Sequence, residues 1–227
     1  MNKLYTYNPA YQKRIELVLD HAISKYPRLN VFRFDLRLPD YYQDTDIPSP
    51  LANNLISKFF ASLKAKLGYD LLKRRRSGKR VHDSELYYVW AREVGDKKNK
   101  EHYHIAIFIN KDRFHSLGNY DCNSDSLASL IIQAWASALG IPEYEAQSLV
   151  HFPDNASNWV NRNSEKYPSQ RDISVSRLDY LAKNQTKVYG LGKRNFGTSQ
   201  VPKSFTNKRA PKMGAKTTLF HLHTFFE

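Results

Sequence analysis

The chain has 227 residues, 41% of them hydrophobic, and carries 35 lysines and arginines against 22 aspartates and glutamates, a formal charge of +13. That length suits one domain with a tail, and the apolar fraction is enough for a buried core, which excludes a wholly disordered basic protein. No run approaches the ~18 apolar residues of a membrane span, and the start Met1-Asn2-Lys3-Leu4-Tyr5 does not read as a secretory leader. A single cysteine, Cys122, excludes an internal disulfide and a multi-cysteine zinc site. The expected location is a reducing cytoplasm, with no membrane partner.

The basic excess favours polyanionic partners, although solubility alone would also account for it. Aromatic side chains, at 13% with 15 tyrosines, tilt the reading toward nucleic acid, because rings stack on bases as well as fill cores.

Taken in chain order, residues 9–26 read as a helix with Ile15, Val18, Leu19, Ala22 and Ile23 on one face and Pro27 as its stop. Residues 29–38 alternate as a strand, with Val31, Arg33, Asp35 and Arg37 on a charged face and Phe32, Phe34, Leu36 and Leu38 on an apolar one. A turn-rich stretch from Pro39 to Pro50 leads to a second helix over 51–67, with Ser49 as cap and Pro50 in its first turn. Lys73-Arg74-Arg75-Arg76 opens a basic segment through Arg80, read as a flexible loop that is either solvated or in contact with phosphates. Residues 85–94 and 102–110 form a hairpin around a polar turn. Asp125–Leu139 reads as a helix, 147–152 as a short strand and Asp172–Val188 as a further helix, while 156–171 shows no clear period. This order makes an α+β domain over 1–200 with a mainly antiparallel sheet, followed by a basic tail over 201–227.

His102-Tyr103-His104 begins a strongly apolar strand, and two residues apart on a strand both imidazoles share one face. Alone, such a pair is as compatible with packing as with ligation. If the hairpin closes at 96–99, Glu93 falls opposite His102, and a shift by two residues puts it opposite His104; either register puts a carboxylate on the same face. Two histidines and one carboxylate suit a divalent ion with open coordination positions. On the late helix, Val175, Leu178, Leu181 and Ala182 form the apolar face, whereas Tyr180, Lys183 and Lys187 fall opposite. Tyr180 is then either a solvent-exposed ring or a phenol kept for chemistry; beside ammonium groups and a metal-bound phosphate it would be a nucleophile. His221-Leu222-His223 repeats the histidine pattern near the C-terminus, with no strand after it and no carboxylate opposite. His151 is either structural or a border of the site, and nothing around Cys122 suggests reactivity.

These motifs together resemble the HUH endonucleases, single-strand nickases that include rolling-circle replication initiators and relaxases. The fit is to the inovirus and prophage initiator branch described as the YagK/YfjJ C-terminal domain. It rests on Phe32-Arg33-Phe34-Asp35-Leu36, on His102-Tyr103-His104, on Tyr180-Leu181-Ala182-Lys183 and on Arg194-Asn195-Phe196-Gly197-Thr198-Ser199, and spans about residues 10–200. The resemblance implies a ferredoxin-like (RRM-like) antiparallel sheet with helices packed on it. It implies Mg²⁺ or Mn²⁺ held by His102, His104 and a third ligand, for which the hairpin offers Glu93. Tyr180 would attack single-stranded DNA to leave a 5′-phosphotyrosine, with Lys183 steadying the phosphate or the tyrosinate. Asn184 stands one helical turn after Tyr180, so a single-tyrosine enzyme is expected.

The expected function is therefore site- and strand-specific nicking that initiates rolling-circle replication of a filamentous phage, prophage or plasmid. Its DNA contacts are expected from Arg33, Arg37, Lys73, Arg74, Arg75, Arg76, Lys187, Lys193 and Arg194, on single-stranded DNA or an origin hairpin. The chain has no Gly-x-x-x-x-Gly-Lys-Ser/Thr loop, so a host helicase and polymerase would supply unwinding and synthesis. Two alternatives stay open: a non-catalytic DNA-binding protein of the same fold that recognises an origin hairpin, and a relaxase or transposase of the same superfamily.

Overall fold

The computed structural model describes residues 5–42, 54–95, 100–185, 187 and 194–206. Helix α1 (Pro9–Lys25) starts where Asn8 accepts from the Ala10 and Tyr11 amides at 3.0 and 3.3 Å, with Pro9 in the first turn. Strand β1 (Arg28–Arg37) follows, then α2 (Leu55–Arg76) and the hairpin strands β2 (Tyr87–Val94) and β3 (Glu101–Asn110). Helix α3 (Leu127–Leu139) is capped by Ser126 and closed by Gly140 at φ 72°, a left-handed conformation that glycine adopts without strain. Helix α4 (Glu143–Leu149), β4 (Val150–His151), β5 (Ser157–Asn161), α5 (Tyr167–Asp179), β6 (Phe196–Thr198) and α6 (Lys203–Thr206) complete the order.

All strand pairs are antiparallel. The sheet runs β4-β1-β3-β2-β6, and β5 shares the outer edge of β1 with β4. The α+β architecture expected from the pattern is what the chain adopts, but the charged face of β1 is not open. The apolar face (Phe32, Phe34, Leu36, Ile105, Ile107) is covered by α2 and α3 through Phe59, Leu63, Ile131 and Trp135. The opposite face (Val31, Val89, Ala106, Phe108) is covered by α1 and α5 through Ile15, Leu19 and Leu178. Arg33, Asp35 and Arg37 share this face with the buried Leu29 and Val31. The polar residues fall at one end of the strand, and the helices seal the other.

Several boundaries differ from the pattern. Helix α2 runs through Lys73–Arg76, which are its last turn and not a loop. An Arg74–Asp70 pair one turn apart, at 2.8 Å, and cations at the helix C-terminus favour that extension. Ser49 and Pro50 lie outside the described residues. Of the strand expected over 147–152, only Val150–His151 is extended. Glu143 and Glu145 in the first turn of α4 help carry the helix to Leu149. Residues 156–171 hold β5, which pairs with β1, and the start of α5. Helix α5 ends at Asp179, followed by a single 3₁₀ turn over Tyr180–Ala182. Lys183 is extended because it bridges Tyr7, so the chain leaves the helix to join the N-terminal segment. After Gln200, Val201 is buried and Phe205 of α6 packs edge-on against His21, ring centroids 4.8 Å apart. His221 and His223 lie outside the described residues.

Phe34 is fully buried at the centre of the larger core, against Phe59 and Phe152. Phe34→Ala is expected to lower the unfolding free energy by about 3–5 kcal/mol, read as a lower denaturant midpoint at unchanged slope. A loss below about 1 kcal/mol would mean that this layer is not close-packed.

Candidate active site

The polar end of the inner sheet face gathers side chains from three strands. Glu93 on β2 lies directly opposite His102 on β3, the register expected if the hairpin closes at 96–99, and Asp35 on β1 lies opposite His104. Ligand-type atoms of Glu93, His102 and His104 all lie within 4.8 Å of one another. The Nε2 atoms of the two histidines are 3.1 Å apart, and Glu93 Oε2 is 3.3 Å from His104 Nε2. Ala91, the next residue of β2 on that face, is opposite His104 and leaves the space that a larger side chain would fill.

The other side of Glu93 meets the chain after α5. Lys183 Nζ is 2.8 Å from Glu93 Oε2 and 2.7 Å from Tyr180 Oη, so one ammonium joins the carboxylate to the phenol. Lys187 Nζ is 3.6 Å from Glu93 Oε1 and also donates to the Lys183 carbonyl. The Tyr180 ring stands edge-on to the His104 ring at 5.1 Å, with the Arg33 guanidinium 5.2 Å from its centroid. Glu93 is 1% exposed, His104 7% and Lys183 5%. Helical phase puts Tyr180 and Lys183 opposite the apolar face of the helix, yet Lys183 is not in solvent. Lys183 is buried because the extended backbone at that residue turns its side chain under the sheet.

Protonation follows from these contacts. Burial, which disfavours imidazolium, pushes His102 below its ordinary value, and the neighbouring His104 lowers it further. His104 feels the same burial, but its hydrogen bonds to Asp35 and Glu93 outweigh it and raise its pKa. Burial likewise opposes charge on Asp35 and Lys183. The His104 contact wins for Asp35, whose pKa falls, and the Glu93 and Tyr180 contacts win for Lys183, whose pKa rises. For Lys187 burial prevails, and its pKa falls.

Asp35 is the residue that sequence reading placed on the right face and left out of the site. Its Oδ1 is 2.5 Å from His104 Nδ1. A carboxylate can only accept, so Nδ1 carries a proton and Nε2 is the atom left to face Glu93 and His102. The long-range register between β1 and β3 makes this contact, and no local spacing signals it. His151, on β4, is also opposite Asp35 and is exposed, so it borders this end of the sheet.

The cations expected at DNA separate into groups. Arg33 and Lys187 are in the cluster, and Arg37 is exposed at the same end of β1. Arg194 is exposed one residue before Asn195, which Arg92 anchors at 2.7 Å, and Lys193 lies outside the described residues. Lys73, Arg74 and Arg75 are not brought to the site. They pair with Asp125, Asp70 and Asp83 on a helix that covers the other face of the sheet, and Arg76 is exposed beside them. Asp70 also binds Arg113, past the Asn110 end of β3 and roughly 27 Å of strand away from His102. Cys122 is buried, its carbonyl accepting from Ser129 Oγ at 2.6 Å, which is a packing role.

The Asp35–His104 pair also makes stability depend on pH. A raised His104 pKa stabilises the fold fully below its ordinary value of 6.5, and that contribution is lost as pH rises through the folded value. A lowered Asp35 pKa contributes above 3.8 and is lost as pH falls through its own folded value, so the pair is strongest between those limits. Asp35→Asn should lower the His104 pKa in chelator-treated protein, measured by NMR titration of the imidazole. An unchanged value would mean that Asp35 does not hold the proton on Nδ1.

The family model for the YagK/YfjJ C-terminal domain matches residues 1–199. Two Escherichia coli K12 proteins, both named as uncharacterized, are similar along most of their length. YagK is 38% identical over 195 residues, which is 84% of this chain and 92% of YagK. YfjJ is 35% identical over 195 residues, 84% of this chain and 93% of YfjJ. No solved structure matches the chain. With nearly all of the described fold inside the matched region, the chain belongs to the YagK/YfjJ C-terminal domain family.

Proposed function

We propose that this protein is a metal-dependent endonuclease that nicks single-stranded DNA through Tyr180 and so initiates rolling-circle replication of a filamentous phage, prophage or plasmid. One observation carries the reading: an unbroken run of contacts links Tyr180 Oη to Lys183 at 2.7 Å, Lys183 to Glu93 at 2.8 Å and Glu93 to His104 at 3.3 Å. A nucleophile, a cation and three ligand-type side chains thus share one cluster. The connectivity β1-α2-β2-β3-α3-β4 and the order β4-β1-β3-β2 support a ferredoxin-like reading of the sheet and, with the histidine pair on β3, an HUH one. A charge of +13 supports a polyanionic substrate.

Two imidazole nitrogens and a carboxylate oxygen suit a divalent ion that keeps positions open for oxygen ligands, which fits Mn²⁺ or Mg²⁺. Bound there, the ion would polarise the scissile phosphate and offset its charge. The chain's own residues do the rest. Lys183, held as an ammonium, donates to the Tyr180 oxygen and sits where it can offset negative charge on the phosphate during attack. Its raised proton affinity makes it a source of positive charge and not a base, so the phenol proton leaves to water. The Tyr180 oxygen forms a bond to phosphorus as the bond to the 3′-oxygen breaks. That oxygen takes a proton from water, giving a 5′-phosphotyrosine and a free 3′-hydroxyl for a host polymerase. Arg33 and Arg37, on the strand beside the cluster, are assigned to the DNA backbone next to the break.

With a single-stranded oligonucleotide from its own replicon and Mn²⁺ or Mg²⁺, the protein should form a covalent DNA adduct visible on a denaturing gel. Tyr180→Phe should abolish the adduct and leave the fold intact, whereas Tyr167→Phe should leave it in place. His102→Ala and His104→Ala should abolish cleavage and keep most of the DNA affinity, and excess chelator should mimic them until the ion is restored. Cleavage that persists in Tyr180→Phe, or in excess chelator, overturns the proposal.

A further inference from the structure

Residues 5–8 precede the first helix and carry no motif, yet they are tied to the chain that follows Tyr180. The Asn8 amide donates to the Ala182 carbonyl and the Asn184 amide to the Thr6 carbonyl, both at 2.8 Å, and Tyr7 bridges Lys183 in antiparallel register. Gln185 Oε1 accepts from the Thr6 amide, while Asn184 Nδ2 and Gln185 Nε2 both donate to Thr6 Oγ1, each contact at 3.2 Å. Two segments about as far apart in sequence as the fold permits therefore form a short ladder beside the candidate nucleophile.

This ladder meets a specific mechanical need. Tyr180 is at the C-terminal end of α5, inside a single 3₁₀ turn. Helix ends fray, and 3₁₀ turns have poor hydrogen-bond geometry. The Ala182 carbonyl is satisfied by Asn8 across the ladder and not by the helix itself. The ladder also sets Tyr5 edge-on to Tyr180, ring centroids 6.2 Å apart and planes at 87°. Lys183 Nζ then lies 3.9 Å from the Tyr180 ring centroid and 5.5 Å from that of Tyr5. An ammonium within reach of two aromatic rings is drawn to both, and this is the ammonium that contacts the Tyr180 oxygen.

We propose that residues 5–8 are a strap that positions the nucleophile, with Tyr5 as the positioning residue that keeps the Lys183 ammonium on the Tyr180 oxygen. The catalytic consequence rests on the nicking function proposed above; the structural consequence does not. The protein is prepared with 3-fluorotyrosine at position 180, in the full chain with its native Tyr5 and as Tyr5→Ala, Tyr5→Leu and Tyr5→Phe. The fluorine resonance should move in Tyr5→Ala and Tyr5→Leu and return to its native position in Tyr5→Phe, which restores the ring without the hydroxyl. Tyr5→Leu retains apolar bulk, so it separates loss of the ring from loss of packing. Mn²⁺ affinity should be equal in all four proteins. In otherwise native chains, kcat for adduct formation should fall about ten- to a hundredfold in Tyr5→Leu with KM nearly constant, and recover in Tyr5→Phe. A fluorine resonance that does not move in Tyr5→Leu overturns the strap, whatever the activity. A moved resonance with unchanged kcat overturns the positioning role. If no variant and no native protein forms an adduct, the nicking function fails, and the resonance alone still decides whether Tyr5 positions Tyr180.

Discussion

The buried carboxylate of Glu93 is the constraint around which this end of the molecule is built. A carboxylate at 1% exposure under one end of a sheet is costly unless charge and hydrogen bonds compensate it. Compensation comes from His104 on the neighbouring strand and from Lys183 and Lys187 on the chain after α5. Drawing two lysines under the sheet requires the backbone to leave the helix at Tyr180. The need to neutralise Glu93 thus shapes the turn that presents the phenol. The N-terminal ladder holds that turn once the helix has stopped.

The groups around Glu93 are similar in kind and differ in role because their surroundings differ. Lys183 touches both the carboxylate and the phenol, and those contacts keep it charged against burial. Lys187 has a longer contact to Glu93 and a neutral carbonyl as its other partner, and burial pushes it toward its neutral form. His104 meets the Asp35 carboxylate through Nδ1, whereas His102 Nδ1 meets only the Lys100 carbonyl, at 3.4 Å, so burial lowers the His102 pKa while the carboxylates raise that of His104. A divalent ion among the three ligand-type groups would take over the compensation of Glu93. That would free the Lys183 ammonium for the Tyr180 oxygen and a phosphate.

Much of this was legible in the sequence, for identifiable reasons. Alternation in 29–38 and in the hairpin is strong, so Glu93 shares a face with both histidines whichever of the two it opposes, and the structure selects His102. Helical phase separated Leu178, Leu181 and Ala182 from Tyr180 and Lys183. The same phase failed to predict the end of α5, because the chain after it is held by the N-terminal segment through the Tyr7–Lys183 bridge and not stopped by a local breaker. The Asp35–His104 contact, the Tyr5 ring and the second helical layer depend on long-range pairing and were invisible for that reason. The basic run at Lys73–Arg76 misled in the opposite direction. A cluster of cations reads as a nucleic-acid contact, but three of its four members are spent on aspartates at the far end of the sheet.

The Tyr180 phenol, held by Lys183 beside the His102–His104–Glu93 cluster, is the proposed nucleophile, and the residue that carries the DNA adduct can be read directly. Trypsin cuts after Arg177 and after Lys183, so Tyr180 falls in the peptide 178–183, which has no other tyrosine. Mass spectrometry of the DNA-linked peptide after incubation with a cleavable oligonucleotide reads the site directly. The account predicts a nucleotide adduct on Tyr180 in peptide 178–183; an adduct on Tyr5, or on any other residue, contradicts it.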